Sequence, residues 1–138
     1  MNDINATIGL YNLPHIHELL SKNRENVKYF NEHLKDIEGI KILEKPISAE
    51  FKSAGWLYTI RVLNGRKQEF INKMKDVGIM TSQVHNRNDV NSCVKDYQEE
   101  LPNLDILEQE LVCIPVGWWL EQKDLEKIVE NIILFSGN

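Results

Sequence analysis

The sequence predicts an α+β fold in which a small, mostly antiparallel sheet is packed by helices and entered through a long, kinked N-terminal helix. Two observations carry most of this. Apolar residues recur at three- and four-residue steps from Ile16 to Ile37 and again from Leu125 to Ile133, with charged residues between them. Trp56 to Leu63 reads WLYTIRVL, an aromatic and β-branched run of strand length. The order of patterns is long helix, two strands, helix, strand, short helix, strand, helix.

From the N-terminus, Ile4, Ile8 and Tyr11 fall at helical spacing, widened by Leu10 and Leu13. Pro14 removes a hydrogen bond to the carbonyl of Leu10, so a break is expected between a segment ending near Leu13 and one starting around Pro14. The second segment places Ile16, Leu19, Leu20, Val27, Phe30, Leu34 and Ile37 inside and is capped by Gly39. Ile40 to Glu44 is a short strand, and Lys45 to Lys52 is a connection marked by Pro46. In the Trp56 strand, Trp56, Tyr58, Ile60 and Val62 share an inward face, so Arg61 points the other way with Leu57, Thr59 and Leu63. Trp56 is read as core.

Asn64-Gly65 makes a turn into an amphipathic helix over Arg66 to Val77, with Phe70, Ile71, Met74 and Val77 inside and Gly78 at its end. Ile79 to Val84 alternates as a partly buried strand would. Val94 to Leu101 is polar, and Leu104 to Gln109 makes a helical turn or two, capped by Asn103. Leu111 to Val116 is an apolar strand limited by Pro115, which belongs at an edge or ends there. The adjacent Trp118 and Trp119 cannot both point inward on an extended backbone, so one is exposed or covers a partner. Glu121 to Phe135 is the closing helix, with Leu125, Ile128, Val129, Ile132 and Ile133 inside.

With 138 residues and 42% hydrophobic content, the chain is read as a single domain over 1–138. A net charge of -5 without a Lys/Arg cluster argues against nucleic acid. No apolar run approaches the roughly 20 residues that span a bilayer. The first residues lack signal-peptide order. The expected location is the cytoplasm. Cys93 and Cys113 form no C-x-x-C pattern, which leaves two reduced thiols with Cys113 in the core. His15, His17 and His33 have no partners at metal-ligand spacing, and no metal is expected.

Chemistry concentrates in Ile79 to Cys93, IMTSQVHNRNDVNSC, where a histidine, an arginine, an aspartate and three asparagines share fifteen positions. The strand delivers His85, Asn86, Arg87 and Asp89 onto its exit loop, a common place for binding residues. Two plainer readings stand beside this one. His85 makes only local backbone bonds, or Arg87 and Asp89 simply pair with each other.

The opening MNDINATIGL, the WLYTIRV strand, the Gly-Ile step before a His-bearing loop, LPNLDILEQELVCIPV and the acidic closing helix together resemble the C-terminal small domain of the DegT/DnrJ/EryC1/StrS sugar aminotransferases. The resemblance covers essentially the whole chain. It implies the aspartate aminotransferase fold, a homodimer, and pyridoxal phosphate bound by a large domain that precedes this region. The Schiff-base lysine, the acid at the pyridine nitrogen and the phosphate cup belong to that large domain, so no lysine here is matched to the Schiff base. The resemblance therefore implies no catalytic residue and no cofactor binding by this chain alone.

What the resemblance gives this region is substrate contact at the mouth of the site, through His85, Asn86 and Arg87. His85 and Arg87 match the family pattern, and Asn86 replaces a more usual aromatic residue. A second histidine is missing, with Val90 and Asn91 in its place. The implied reaction is amino transfer from glutamate to a keto group of a nucleotide-linked sugar. Against this stands a different class, a free-standing ligand-binding, regulatory or dimerisation module without catalysis.

Overall fold

A computed structural model of the chain describes residues 2–43, 53–83 and 86–137. Helix α1 (Asp3–Asn12) starts at Asn2, whose side chain accepts from the Asn5 N–H at 2.9 Å. Leu13–His15 then form one 3-10 turn containing Pro14, and α2 (Ile16–Leu34) follows. The proline break therefore falls where the sequence places it.

The α2 helix ends at Leu34, short of Ile37, because the chain must turn sharply through Gly39, at φ 73°, into β1 (Ile40–Ile42). Ile37 still packs against the core from that turn. Strand β2 (Tyr58–Val62) pairs antiparallel with β1 on one side and with β3 (Leu111–Ile114) on the other, giving the order β1-β2-β3. Helix α3 (Lys67–Asp76) follows β2, α4 (Pro102–Glu110) runs directly into β3, and α5 (Gln122–Ser136) closes the chain. The fold is the α+β arrangement predicted.

One hydrophobic cluster organises these elements. Ile60, Val62 and Val112 of the sheet meet Phe30 and Leu34 of α2, Phe70 and Met74 of α3, and Leu125, Ile128 and Ile132 of α5. The α5 helix begins with a reciprocal capping box between Glu121 and Asp124. Asn26 is the buried polar residue of α2. Its Nδ2 donates to the carbonyls of Val116 at 3.2 Å and Gly117 at 3.0 Å, which fixes the turn after β3.

Several expectations need correction. Trp56 is 75% exposed and precedes β2, whose residues facing the cluster are Tyr58, Ile60 and Val62. Ile133 is half exposed, and Phe135 takes the inner position near the end of α5. Ile79 to Gln83 keeps the predicted alternation, and among the described residues its pairing is a single antiparallel bridge, Ser82 to Cys113. Asn103 lies inside α4, whose cap position is Leu101 with no side-chain hydrogen bond, because Pro102 supplies the first helical turn.

Trp118 and Trp119 are both exposed, edge to face with each other. Neither goes inside, because the Trp119 ring lies across Gly117, within 2.1 Å of where a Cβ would stand. Both thiols are free. Cys113 is buried, but on the Thr59 side of the sheet, with Sγ 3.2 Å from Thr59 Oγ1. Among the described residues no helix is long and apolar enough to cross a membrane. Glu44, the connection over Lys45 to Lys52, Val84 and His85 lie outside the described residues.

This packing predicts the response of the core. Phe30 is fully buried against Tyr58, so Phe30→Ala should cost about 3–5 kcal/mol in urea unfolding. Tyr11→Ser, at an exposed position of α1, should change stability by less than about 0.5 kcal/mol. Equal effects at the two positions would contradict this placement of the core.

Candidate functional site

The chain leaves β2 through α3, crosses the Ile79–Gln83 segment, and enters the loop that carries Asn86, Arg87 and Asp89. A two-way backbone bridge sets the direction of entry. Ser82 N–H donates to the Cys113 carbonyl at 3.1 Å, and Cys113 N–H donates back at 2.7 Å. Gln83 is then held by Lys67, whose Nζ donates to Gln83 Oε1 at 2.7 Å and to the Glu108 carbonyl at 2.6 Å. Burial pulls the Lys67 ammonium down from the usual lysine range, and nearby Glu108 opposes that shift.

Arg87 is the most heavily engaged side chain of the loop. Its Nε donates to Asp89 Oδ1 at 2.9 Å and Nη2 to Asp89 Oδ2 at 2.5 Å, a bidentate pair. Nη1 reaches Asp105 of α4, with Glu108 Oε2 at 3.8 Å. The Arg87 side chain is only 14% exposed. The pairing of Arg87 with Asp89, the plainer of the two readings from sequence, is therefore present, and α4 adds to it. Hydrogen bonding from Arg87 holds the Asp89 carboxyl below the usual carboxylate range and raises Arg87 in turn. Gln98 Nε2 also donates to the Asp89 carbonyl at 2.6 Å.

The three residues named from sequence are thus placed unequally. Arg87 faces carboxylates of its own chain, and Asn86 is exposed beside it. His85 lies outside the described residues. Lys67, Asp105 and Glu108 were missed because they come from two other helices. The available signal was the spacing of Asp105 and Glu108, three apart on a short acidic helix and so side by side.

A second feature adjoins the Ser82 bridge. A groove of about 640 Å3 is lined by Trp56, Leu57, Met80, Ser82, Cys113 and Trp119, among others. Met80 is 84% exposed at its rim. Among the described residues no cluster of three or more His, Cys, Asp or Glu side chains is arranged to hold a metal.

Lys67 does not fit the role of a Schiff-base lysine for pyridoxal phosphate. A Schiff-base lysine needs a desolvated amine facing a cavity. Lys67, the lysine whose ammonium burial pulls down, directs its Nζ at Gln83 and a backbone carbonyl, as part of the loop's support.

The acid side of the loop gives a testable pH dependence. The folded-state pKa of Asp89 is depressed, so its contribution to stability is fully present above the ordinary value of about 3.9 and is lost as pH falls through the lower, folded value. Asp89→Asn should flatten the acid limb of the stability curve below about pH 4. An acid limb identical to that of the unaltered chain, in urea titrations across that range, would count against this pairing.

Residues 1–133 match the DegT/DnrJ/EryC1/StrS aminotransferase family. Among solved structures, the chain is similar to the sugar aminotransferase CalS13 from Micromonospora echinospora, with 37% identity and a TM-score of 0.90, covering 97% of this chain and 35% of that one. AtS13 from Actinomadura melliaura is similar at 36% identity and a TM-score of 0.89, again over 97% of this chain and 35% of the other. Helicobacter pylori PseC, an aminotransferase involved in the biosynthesis of pseudaminic acid, shares the fold at 16% identity and a TM-score of 0.87, covering 99% of this chain and 38% of that one. A comparison with curated proteins finds no match. The chain therefore spans about a third of the length of the sugar aminotransferases it matches, and it belongs to the DegT/DnrJ/EryC1/StrS aminotransferase family.

Proposed function

We propose that this chain is the C-terminal small domain of a pyridoxal-phosphate aminotransferase that moves an amino group from glutamate to a keto group of a nucleotide-linked sugar. The observation that carries this reading is the likeness to CalS13, a sugar aminotransferase, over 97% of this chain at 37% identity. When bound, pyridoxal phosphate supplies the electron sink for amino transfer. The groups that grip it belong to the large domain in this reading, and this chain alone binds none specifically.

This chain's share of the work is substrate orientation. His85 and Asn86 contact the sugar, and Arg87 contributes by fixing the loop that carries them, because its guanidinium is taken up by Asp89 and Asp105. The reaction gains when reacting groups are held in position before the barrier is climbed.

The apolar surface of α1 belongs to the same reading. Ile4, Ile8, Leu10 and Leu13 are exposed, and α1 buries no residue. Exposed apolar surface of this kind is covered in the working protein by the large domain or by the second subunit of a homodimer. In analytical ultracentrifugation at micromolar concentration, the chain alone should sediment as a dimer or larger species. Ile4→Glu with Ile8→Glu should shift it towards monomer. A monomer in both cases would contradict the expected cover.

A chimera tests the reaction itself. This chain replaces the matching 35% of CalS13, and the product is assayed for amino transfer between glutamate and a nucleotide-linked sugar. Activity is expected in the chimera. His85→Ala and Arg87→Ala should raise KM for the sugar by roughly 2- to 150-fold, the range for losing a neutral or a charged hydrogen bond. The half-reaction with glutamate should remain nearly intact in stopped-flow spectra. A folded chimera that binds the cofactor but aminates no sugar argues for a different role, and abolition of the glutamate half-reaction by either substitution contradicts the orienting role.

A further inference from the structure

The groove beside Cys113 takes no part in the reaction as described above. It holds about 640 Å3 and is ringed by Trp56, Met80, Trp118 and Trp119, all of them exposed. In a chain where 27% of residues are charged, no charged side chain among the described residues lines it. Charge stands just past Met80 and Trp119, where Asp124 and Lys127 line a neighbouring depression of about 260 Å3.

Polar side chains of α2 set both walls of the groove in advance. On one side, Arg24 Nε donates to the Ser53 carbonyl at 2.8 Å and Asn23 Nδ2 to the Ala54 carbonyl at 3.3 Å. Gly55, at φ 64°, then lies so close to α2 that a Cβ there would stand 3.1 Å from Val27 Cγ2 and 3.2 Å from the Asn23 carbonyl oxygen. Trp56 is therefore carried on anchored backbone. On the other side, Asn26 holds the carbonyls of Val116 and Gly117, and the Trp119 ring lies across Gly117. Aromatic side chains around a neutral centre, with charge at the margin, have the composition of an interface core and its rim. Fixing them beforehand lowers the conformational cost of association.

We propose that this groove is the seat of the large domain of the aminotransferase, and that it receives an uncharged, apolar segment of that domain's surface. The proposal rests on the reading above, that this chain is the small domain of a longer enzyme. The matching unit of CalS13 is 35% of its chain at a TM-score of 0.90, which leaves about two thirds of such a chain to cover exposed surface. A strongly charged partner finds no counter-charge in the groove, which disfavours nucleic acid, anionic lipid and acidic or basic peptides.

Hydroxyl-radical footprinting, read by mass spectrometry, compares the 138-residue chain with the chimera described above. In the chain at submicromolar concentration, Met80 and Trp119 should oxidise readily, while the fully buried Met74 should not. In the chimera, oxidation of Met80 and Trp119 should fall roughly ten-fold, since side chains at the centre of an interface are shut off from water. Met74 should stay slow in both. Met80→Asp should leave the urea midpoint of the chain alone unchanged, because Met80 is exposed, and should restore the oxidation of Trp119 in the chimera.

Equal oxidation of Met80 and Trp119 in chain and chimera overturns the proposal. Protection that grows with concentration in the chain alone assigns the groove to a second copy and overturns it as well. Sugar amination is read separately. A protected groove in a chimera that aminates no sugar upholds the docking face and counts against the sugar reading, whereas an exposed groove in an active chimera overturns the docking face alone.

Discussion

The hydrophobic cluster of this chain is built on one face of its sheet. Tyr58, Ile60 and Val62 turn into a cluster built with α2, α3 and α5, so the alternate residues of β2 must turn away from it. On that second side Arg61 is paired with Glu110, Thr59 lies beside Cys113, and the groove ringed by Trp56, Met80 and Trp119 lies next to them. Exposed aromatic rims around a groove are expensive surfaces for a monomer to keep. This chain spans about 35% of the length of the CalS13 chain it matches.

The same division explains where the loop can be placed. Among the described residues this segment meets β3 at the Ser82 bridge, and side chains of α3 and α4 hold Gln83 and Arg87. Electrostatics and hydrogen bonds thus help to position both residues. The placement of Arg87 depends on its contacts with Asp89 and Asp105, whereas the core depends on volume and burial.

Legibility in the sequence followed range. Local rules carried α2, β2, α3 and α5, since their periodicities are strong and their ends have specific residues, such as Pro14 and Gly78. Trp56 was misplaced because alternation says which side a residue takes but not where pairing begins. Ile133 was misplaced because the inner stripe of α5 is set by which neighbours meet its last turn, and Phe135 against Phe70 takes that space. In the candidate site, the Arg87–Asp89 pair was visible as neighbours two apart. Lys67 and Asp105 were not, because only the tertiary fold brings α3 and α4 to the loop.

The central claim is that this chain orients substrate while the cofactor's lysine lies elsewhere in the enzyme. Its most direct measurement is to load the chimera with pyridoxal phosphate, reduce it with borohydride, digest it and locate the labelled lysine by mass spectrometry. The account predicts one stoichiometrically labelled lysine, in a peptide outside this chain. A stoichiometric label on any lysine of residues 1–138, Lys67 above all, would contradict it.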